Sequence, residues 1–179
     1  LKRKLKSYMP EQAKNKTNEF IKETSILGLF VIELSTFPDH RGFFHEVCRL
    51  NELAKYGVKF KPVQWSHSMS LPSVIRGVHS EQWQKIVYPV SGKIFVAIAD
   101  VRPESPTFTK VEEFIFDTTN PDSPKQALFL PKGIGNSICV IGDEPVHYMY
   151  LVDEYWDNSK ARGIIYNDPD LAINWPVSD

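Results

Sequence analysis

The chain has almost no cysteine, no excess of either charge and no long apolar run, and each shortage removes a class of protein. Cys48 and Cys139 are the only cysteines among 179 residues. They stand in unrelated contexts without a Cys-x-x-Cys spacing, so neither a disulfide framework nor a zinc knuckle is indicated. Lys and Arg number 21 against 22 Asp and Glu. With charge so balanced, no global field attracts nucleic acid or an acidic membrane surface, and an anionic ligand must be met by a local Arg or Lys cluster. No stretch approaches the ~20 apolar residues of a membrane span, and the first residues lack the apolar core of a signal peptide. The chain is therefore expected to be soluble and cytoplasmic, with neither nucleic acid nor membrane as a partner.

What is present suits one globular domain, with 42% hydrophobic residues in a length that buries a full core. Residues 1 to 22 read differently from the rest, because Lys2, Arg3, Lys4, Lys6, Lys14, Lys16 and Lys22 make them basic and apolar residues are sparse. They are expected to form an extension ahead of a domain over 23–179. From Ser25 onward, short β-rich runs alternate with Gly, Pro, Asn and Asp. Strands are predicted at 26–34, 42–47, 63–69, 107–116, 126–130, 137–141 and 147–152, with a short helix at 51–56. The runs 85–90 and 93–101, joined by Ser91-Gly92, read as a hairpin. Many strands at about ten-residue spacing, with hardly any helical period, predict an all-β barrel or double-sheet jelly roll.

Chemistry concentrates in the stretch from Val74 to Lys85, which packs Arg76, His79, Glu81 and Lys85 into twelve residues. Removing a proton beside a carbonyl needs a base with a pKa near the working pH and a fixed positive charge for the developing enolate. His79 and Lys85 meet those two needs. The plain alternative is that the charges are solvated strand ends and His79 a satisfied polar residue. A jelly roll also raises the question of a metal. His79 and Glu81 are only two ligands, and Asn136 stands in the Pro131–Asn136 turn where a ligand His would be expected, so no metal and no cofactor are predicted.

Several ordered motifs resemble those of the dTDP-4-dehydrorhamnose 3,5-epimerase family. They are Asp39-His40-Arg41-Gly42-Phe43-Phe44-His45-Glu46, Val63-Gln64-Trp65-Ser66-His67-Ser68, Arg76-Gly77-Val78-His79 and the run from Asp100 to Phe108. Leu130-Pro131-Lys132-Gly133, Tyr150 to Tyr155, and Asn167-Asp168-Pro169 with Trp175-Pro176 continue the order. The resemblance covers about residues 23 to 176. It implies a metal-independent, homodimeric cupin that epimerises a nucleotide-linked 4-keto-6-deoxy sugar in deoxysugar or O-antigen biosynthesis. His79 falls on the family's catalytic base, Lys85 on the cation that holds the enolate oxygen, and Tyr150 on the acid of the opposite face. Arg41, Gln64, Ser68 and Arg76 match positions that bind diphosphate and sugar, and Glu46 matches a nearby polar position. The long first strand at 26–34 is expected to pair with the partner's sheet.

Three departures mark this chain. Asn136 replaces an active-site imidazole with an amide that cannot titrate, so inversion at a single carbon is expected. Ser80-Glu81-Gln82-Trp83 stands in place of the usual Phe/Tyr-Gln, with a shorter loop between His79 and Lys85. The carboxylate that orients His79 is unassigned, Glu81 and Glu46 being the candidates. Other readings stay open: a mono-epimerase at C3 or C5 on a CDP- or GDP-linked sugar, a non-catalytic sugar-binding cupin, and a keto-isomerase on the same barrel.

Overall fold

The computed structural model describes residues 20–177. Most of the predicted basic extension, residues 1–19, lies outside that part, and Ile21 already stands in a strand. The chain runs through β1 (Ile21–Glu23), β2 (Phe30–Glu33), β3 (Ser35–Asp39), β4 (Gly42–Glu46) and a short helix α1 (Leu50–Ala54). It continues through β5 (Gln64–Ser70), β6 (Ile75–Glu81), β7 (Lys85–Ser91), β8 (Lys93–Asp100) and β9 (Val111–Asp117). β10 (Gln126–Leu130), β11 (Ile134–Val140), β12 (Val146–Val152) and β13 (Ala161–Gly163) complete it. Two antiparallel sheets form, in the orders β1-β2-β10-β7-β12-β5 and β13-β6-β11-β8-β9, and β3 and β4 make a separate hairpin. The fold is the predicted cupin-type double-sheet jelly roll.

Between the sheets lies a core of Val31, Val87, Ile94, Val96, Ile98, Phe116, Leu128, Leu130 and Ile138 with their neighbours. The outer faces are covered unequally. Leu53 of α1 and Phe60 pack with Phe30, Ile32, Ile86 and Phe129 over the β1-β2-β10-β7 part of the first sheet. The segment from Ile164 to Val177 covers the second sheet, Leu171 packing against Val78 and Ala99, and Trp175 against Phe95. On β5 the period of two is plain: Gln64, Ser66, Ser68 and Ser70 turn inward, while Trp65, His67 and Met69 stand exposed outside.

Three expectations are corrected. The runs 85–90 and 93–101 do not form a hairpin, since β7 pairs with β10 and β12 while β8 pairs with β9 and β11. Gly92 instead turns the chain from one sheet to the other. Its φ of +94° suits glycine, and a Cβ there would stand 2.7 Å from Val146 Cγ2. β8 is buried on both faces, and that double burial rewards a place inside a sheet rather than at the edge of a hairpin. The strand predicted at 26–34 begins only at Phe30, because Leu29 N–H closes a turn on the Ile26 carbonyl. β2 is also flanked on both sides, by β1 and β10, so it has no free edge for a partner's sheet.

Asp100, fully buried at the end of β8, fastens the loop that follows. Its carboxylate accepts from Arg102 Nε at 2.8 Å, from Ser105 Oγ and from Thr107 Oγ1, both at 2.5 Å. Arg102 also donates to the Leu27 carbonyl at 2.8 Å, which ties the first turn to this loop. Burial pushes the Asp100 carboxyl up, but the hydrogen bonds from Arg102, Ser105 and Thr107 outweigh it and hold the group well below the usual carboxylate range. A depressed folded pKa contributes stability above the unfolded value of ~3.9 and loses it as the pH falls toward the folded value. Asp100→Asn is therefore expected to lower the unfolding free energy in urea by about 3 kcal/mol at pH 7 and to flatten the acid limb of the stability profile. Equal stability of variant and wild type would show that the clamp contributes nothing.

Candidate active site

The site begins with an irregularity in β6. Asn136 of β11 lies opposite His79 and Ile138 opposite Arg76, so three steps along β6 match two along β11. On a regular strand, residues three apart face opposite sides of the sheet; one extra residue brings them to the same side. The bulge thus turns Arg76 to the face that carries His79 and Glu81. Gly77 makes it possible. Its φ is +134°, and a Cβ there would stand 2.4 Å from Ser137 Cβ and 2.7 Å from Ser137 Cα. On the other side of β6, β13 places Gly163 opposite His79.

The facing sheet supplies the other wall. Inward-pointing Tyr148 and Tyr150 of β12 pair in register with Ser68 and Ser66 of β5, and Val152 with both Gln64 and Lys85. Between the sheets lies a cavity of about 400 Å³, whose lining includes Ser68, Arg76, His79, Glu81, Lys85, Asn136, Tyr148 and Tyr150. A second cavity of about 200 Å³, reached by Gln64, Ser66 and Trp83, shares Glu81, Lys85, Tyr150 and Trp156 with the first. A cleft of about 420 Å³ between the 23–30 segment and Tyr56 has only Glu23 and Tyr56 as ionisable lining groups, so its chemistry is sparse.

Lys85 is the most enclosed charge of the cavity, with 6% of its surface exposed. Its ammonium donates to a Glu81 carboxylate oxygen. Burial pulls the Lys85 pKa down, and Glu81 opposes that pull. Arg76 is held by donation from Nε to Ser70 Oγ at 2.7 Å and from its terminal nitrogen to the Met69 carbonyl at 3.3 Å. Gln64 donates to Ser66 Oγ at 2.9 Å and accepts from the Trp156 N–H at 3.1 Å. The Tyr148 hydroxyl and the Asn136 Oδ1 are buried without a hydrogen-bond partner, and burial raises the Tyr148 pKa.

The structure therefore brings together His79, Lys85, Tyr150, Ser68, Arg76 and Asn136, with Gln64 in the adjoining cavity. Arg41 and Glu46 are not among them. Both belong to the β3–β4 hairpin, where Arg41 pairs with Asp39 at 2.5 Å and Glu46 accepts from Arg49 Nε at 2.6 Å. Of the two candidate orienting carboxylates, Glu81 is paired with Lys85 and Glu46 with Arg49. Ser66 and Asn158 were missed as lining residues. Ser66 was readable, because it falls between Gln64 and Ser68 on the same face of β5. Asn158 was not, as it opens a short 3-10 helix (Asn158–Lys160) directly ahead of β13. Among the described residues, no three His, Cys, Asp or Glu side chains converge as metal ligands. Among them, too, no helix is long and apolar enough to cross a membrane.

Comparison with known proteins identifies the family. The dTDP-4-dehydrorhamnose 3,5-epimerase family model matches residues 23–179. The chain is 32% identical over 162 residues to the dTDP-4-dehydrorhamnose 3,5-epimerase of Shigella flexneri, covering 88% of this chain and 87% of that protein. It is similar to the crystal structure of the dTDP-4-dehydrorhamnose 3,5-epimerase of Bacillus anthracis with TDP and PPi bound, at 32% identity and a TM-score of 0.80, over 89% of this chain and 91% of that one. A 3'-monoepimerase from Streptomyces bikiniensis in complex with dTDP-quinovose superposes with a TM-score of 0.77 at 28% identity, over 86% and 77% of the two chains. With the family model matched over residues 23–179 and a relative 32% identical across most of both chains, the chain belongs to the dTDP-4-dehydrorhamnose 3,5-epimerase family.

Proposed function

We propose that the protein is a cofactor-independent epimerase that inverts C3, C5 or both of a dTDP-linked 4-keto-6-deoxyhexose. The observation that carries this reading is the placement of His79 and Tyr150 on opposing sheets of one cavity, with the Lys85 ammonium in its wall. A sugar ring held between the sheets meets His79 on one face and Tyr150 on the other. His79 takes the proton from the carbon beside the ketone, and the electron pair of that bond moves onto the carbonyl oxygen, where Lys85 donates a hydrogen bond to the enolate. Tyr150 returns a proton to the opposite face of the same carbon, which inverts it. His79 is left protonated and Tyr150 ionised; exchange with solvent restores both. Arg76, whose planar fork suits phosphate oxygens, takes part of the diphosphate.

Variants separate these roles. His79→Ala is expected to abolish deuterium wash-in from heavy water, a loss of about 10²–10⁴ in rate. Tyr150→Phe is expected to keep part of the exchange while losing inverted product, because deprotonation precedes reprotonation. Full activity in His79→Ala would sink the mechanism. Asn136, opposite His79 in the register, is expected to restrict inversion to one carbon. Product NMR should show deuterium at a single centre and Asn136→His should shift that balance, whereas equal incorporation at C3 and C5 by the unmodified protein would make Asn136 a neutral substitution.

The assembly proposed is a homodimer. Phe43 and Phe44 on the β3–β4 hairpin are 64% and 63% exposed, and Trp65 on the open outer face of edge strand β5 is 69% exposed. These are aromatic surfaces that a second copy covers. The resemblance gives Arg41 and Glu46 a role at the substrate, yet they line none of the cavity of their own chain, and a partner's hairpin supplies such residues where one chain alone does not. Light scattering at micromolar concentration is expected to give twice the chain mass, and Trp65→Glu to reduce it to one chain with loss of activity. A fully active monomer would overturn the assembly.

A further inference from the structure

We propose that Glu81 is the positioning residue of Lys85, fixing its ammonium in the wall shared by the two cavities so that its remaining N–H groups point at the keto oxygen of the bound sugar. The inference rests on the epimerase reading above and concerns a residue at which this chain departs from its family's usual pattern.

The two residues stand at a corner of the fold. Glu81 ends β6 in one sheet and Lys85 begins β7 in the other, with only Gln82, Trp83 and Gln84 between them. The corner is fastened at every step. Ser80 Oγ donates to the Gly133 carbonyl at 3.1 Å, and Gly133 N–H to the Glu81 carbonyl at 2.8 Å. Trp83 is buried, and Gln84 N–H donates to Asp153 Oδ1 at 2.7 Å. The backbone thus presets where both side chains start. The ion pair then fixes where they end, with side chains only 8% and 14% exposed for Lys85 and Glu81.

An ammonium has three donors. The carboxylate takes one, which leaves two for an acceptor in the cavity. A lysine so enclosed and without a partner gives up its proton more readily, and a neutral amine is a poorer donor to an enolate. Glu81 works against that loss, since burial lowers the Lys85 pKa and the carboxylate raises it again. The pair as a unit carries little net charge, so what it offers the enolate is an aimed hydrogen bond more than a bare positive field. The other ionisable groups lining these cavities are His79 and Arg76 on β6 and Tyr148 and Tyr150 on β12, and Asp153 stands beyond Gln84. Glu81 is the one carboxylate among the lining residues.

Glu81→Gln keeps the shape and removes the charge, and Glu81→Asp keeps the charge on a shorter arm. Two readouts on the full chain decide the matter: the ammonium of Lys85 followed by nitrogen-15 NMR across pH, and deuterium wash-in into a dTDP-4-keto-6-deoxyhexose as kcat and KM across pH. For Glu81→Gln, the Lys85 titration and the alkaline limb of kcat are expected to move together to lower pH by about one unit or more. In the same variant kcat should drop about 10–100-fold with KM little changed, and Glu81→Asp should recover part of the loss. A Lys85 titration unmoved in Glu81→Gln would overturn the proposal, as would wild-type kcat with an unmoved limb, or a lower kcat with no shift of the limb. Should Glu81→Gln fail to fold, Glu81→Asp decides: a Lys85 titration moved to lower pH together with a lowered kcat, each by less than expected for Glu81→Gln, supports the carboxylate's role, and either one unmoved refutes it. An unmodified protein that washes no deuterium into the sugar would defeat the epimerase reading, while the Lys85 titration would still decide whether Glu81 holds the ammonium charged.

Discussion

The approach of β6 to β11 at Gly77 is the constraint on which the site depends. A side chain at that position would collide with the backbone and Cβ of Ser137, so only glycine lets the strands come this close. The extra residue accommodated there turns Arg76 onto the face of His79 and Glu81. Without the bulge the alternation of β6 would send the guanidinium to the opposite side of the sheet, among the apolar residues that cover it. One backbone position thus determines whether Arg76 and His79 share a cavity.

The second determinant is the way the chain changes sheets. β6 and β7 are consecutive, yet they lie in different sheets, and the three-residue corner between them sets Lys85 across from the strand that carries His79. A jelly roll closes its cavity by such crossings. Residues near in sequence then face one another across the interior, as Glu81 and Lys85 do. Residues distant in sequence, such as Tyr150 and Ser66, become neighbours through strand pairing. The unpartnered hydroxyl of Tyr148 and amide oxygen of Asn136 mark the polar end of this interior, while the apolar residues between the sheets close the other.

Much of this was legible in the sequence, and the failures have physical causes. The strand predicted at 63–69 forms as Gln64–Ser70, where Gln64, Ser66 and Ser68 alternate with exposed Trp65, His67 and Met69. The all-β class followed from many short runs with turn residues between them. β7 and β8 were misjoined because Ser91-Gly92 resembles a two-residue turn, and local pattern does not say which sheet a doubly buried strand enters. β3 was passed over because Phe37-Pro38-Asp39 reads as a break, although proline is tolerated in a two-stranded hairpin exposed on its outer edge. His79, Lys85 and Tyr150 were named from the sequence and meet in one cavity. Arg41 and Glu46 were named with them, yet they sit on a hairpin of their own. Their separation has no local signature, since it follows from β3 and β4 pairing only with each other, outside both large sheets.

The central claim is that a keto sugar sits between the two sheets with His79 and Tyr150 on opposite faces of its ring. A crystal structure with a dTDP-4-keto-6-deoxyhexose, or an unreactive analogue, tests it most directly. The account predicts the carbon beside the ketone between the His79 ring and the Tyr150 hydroxyl, the keto oxygen within hydrogen-bond reach of Lys85 Nζ, and the diphosphate on Arg76. A sugar seated in the cleft beside Tyr56, or one in the cavity with His79 and Tyr150 on the same face of the ring, would contradict it.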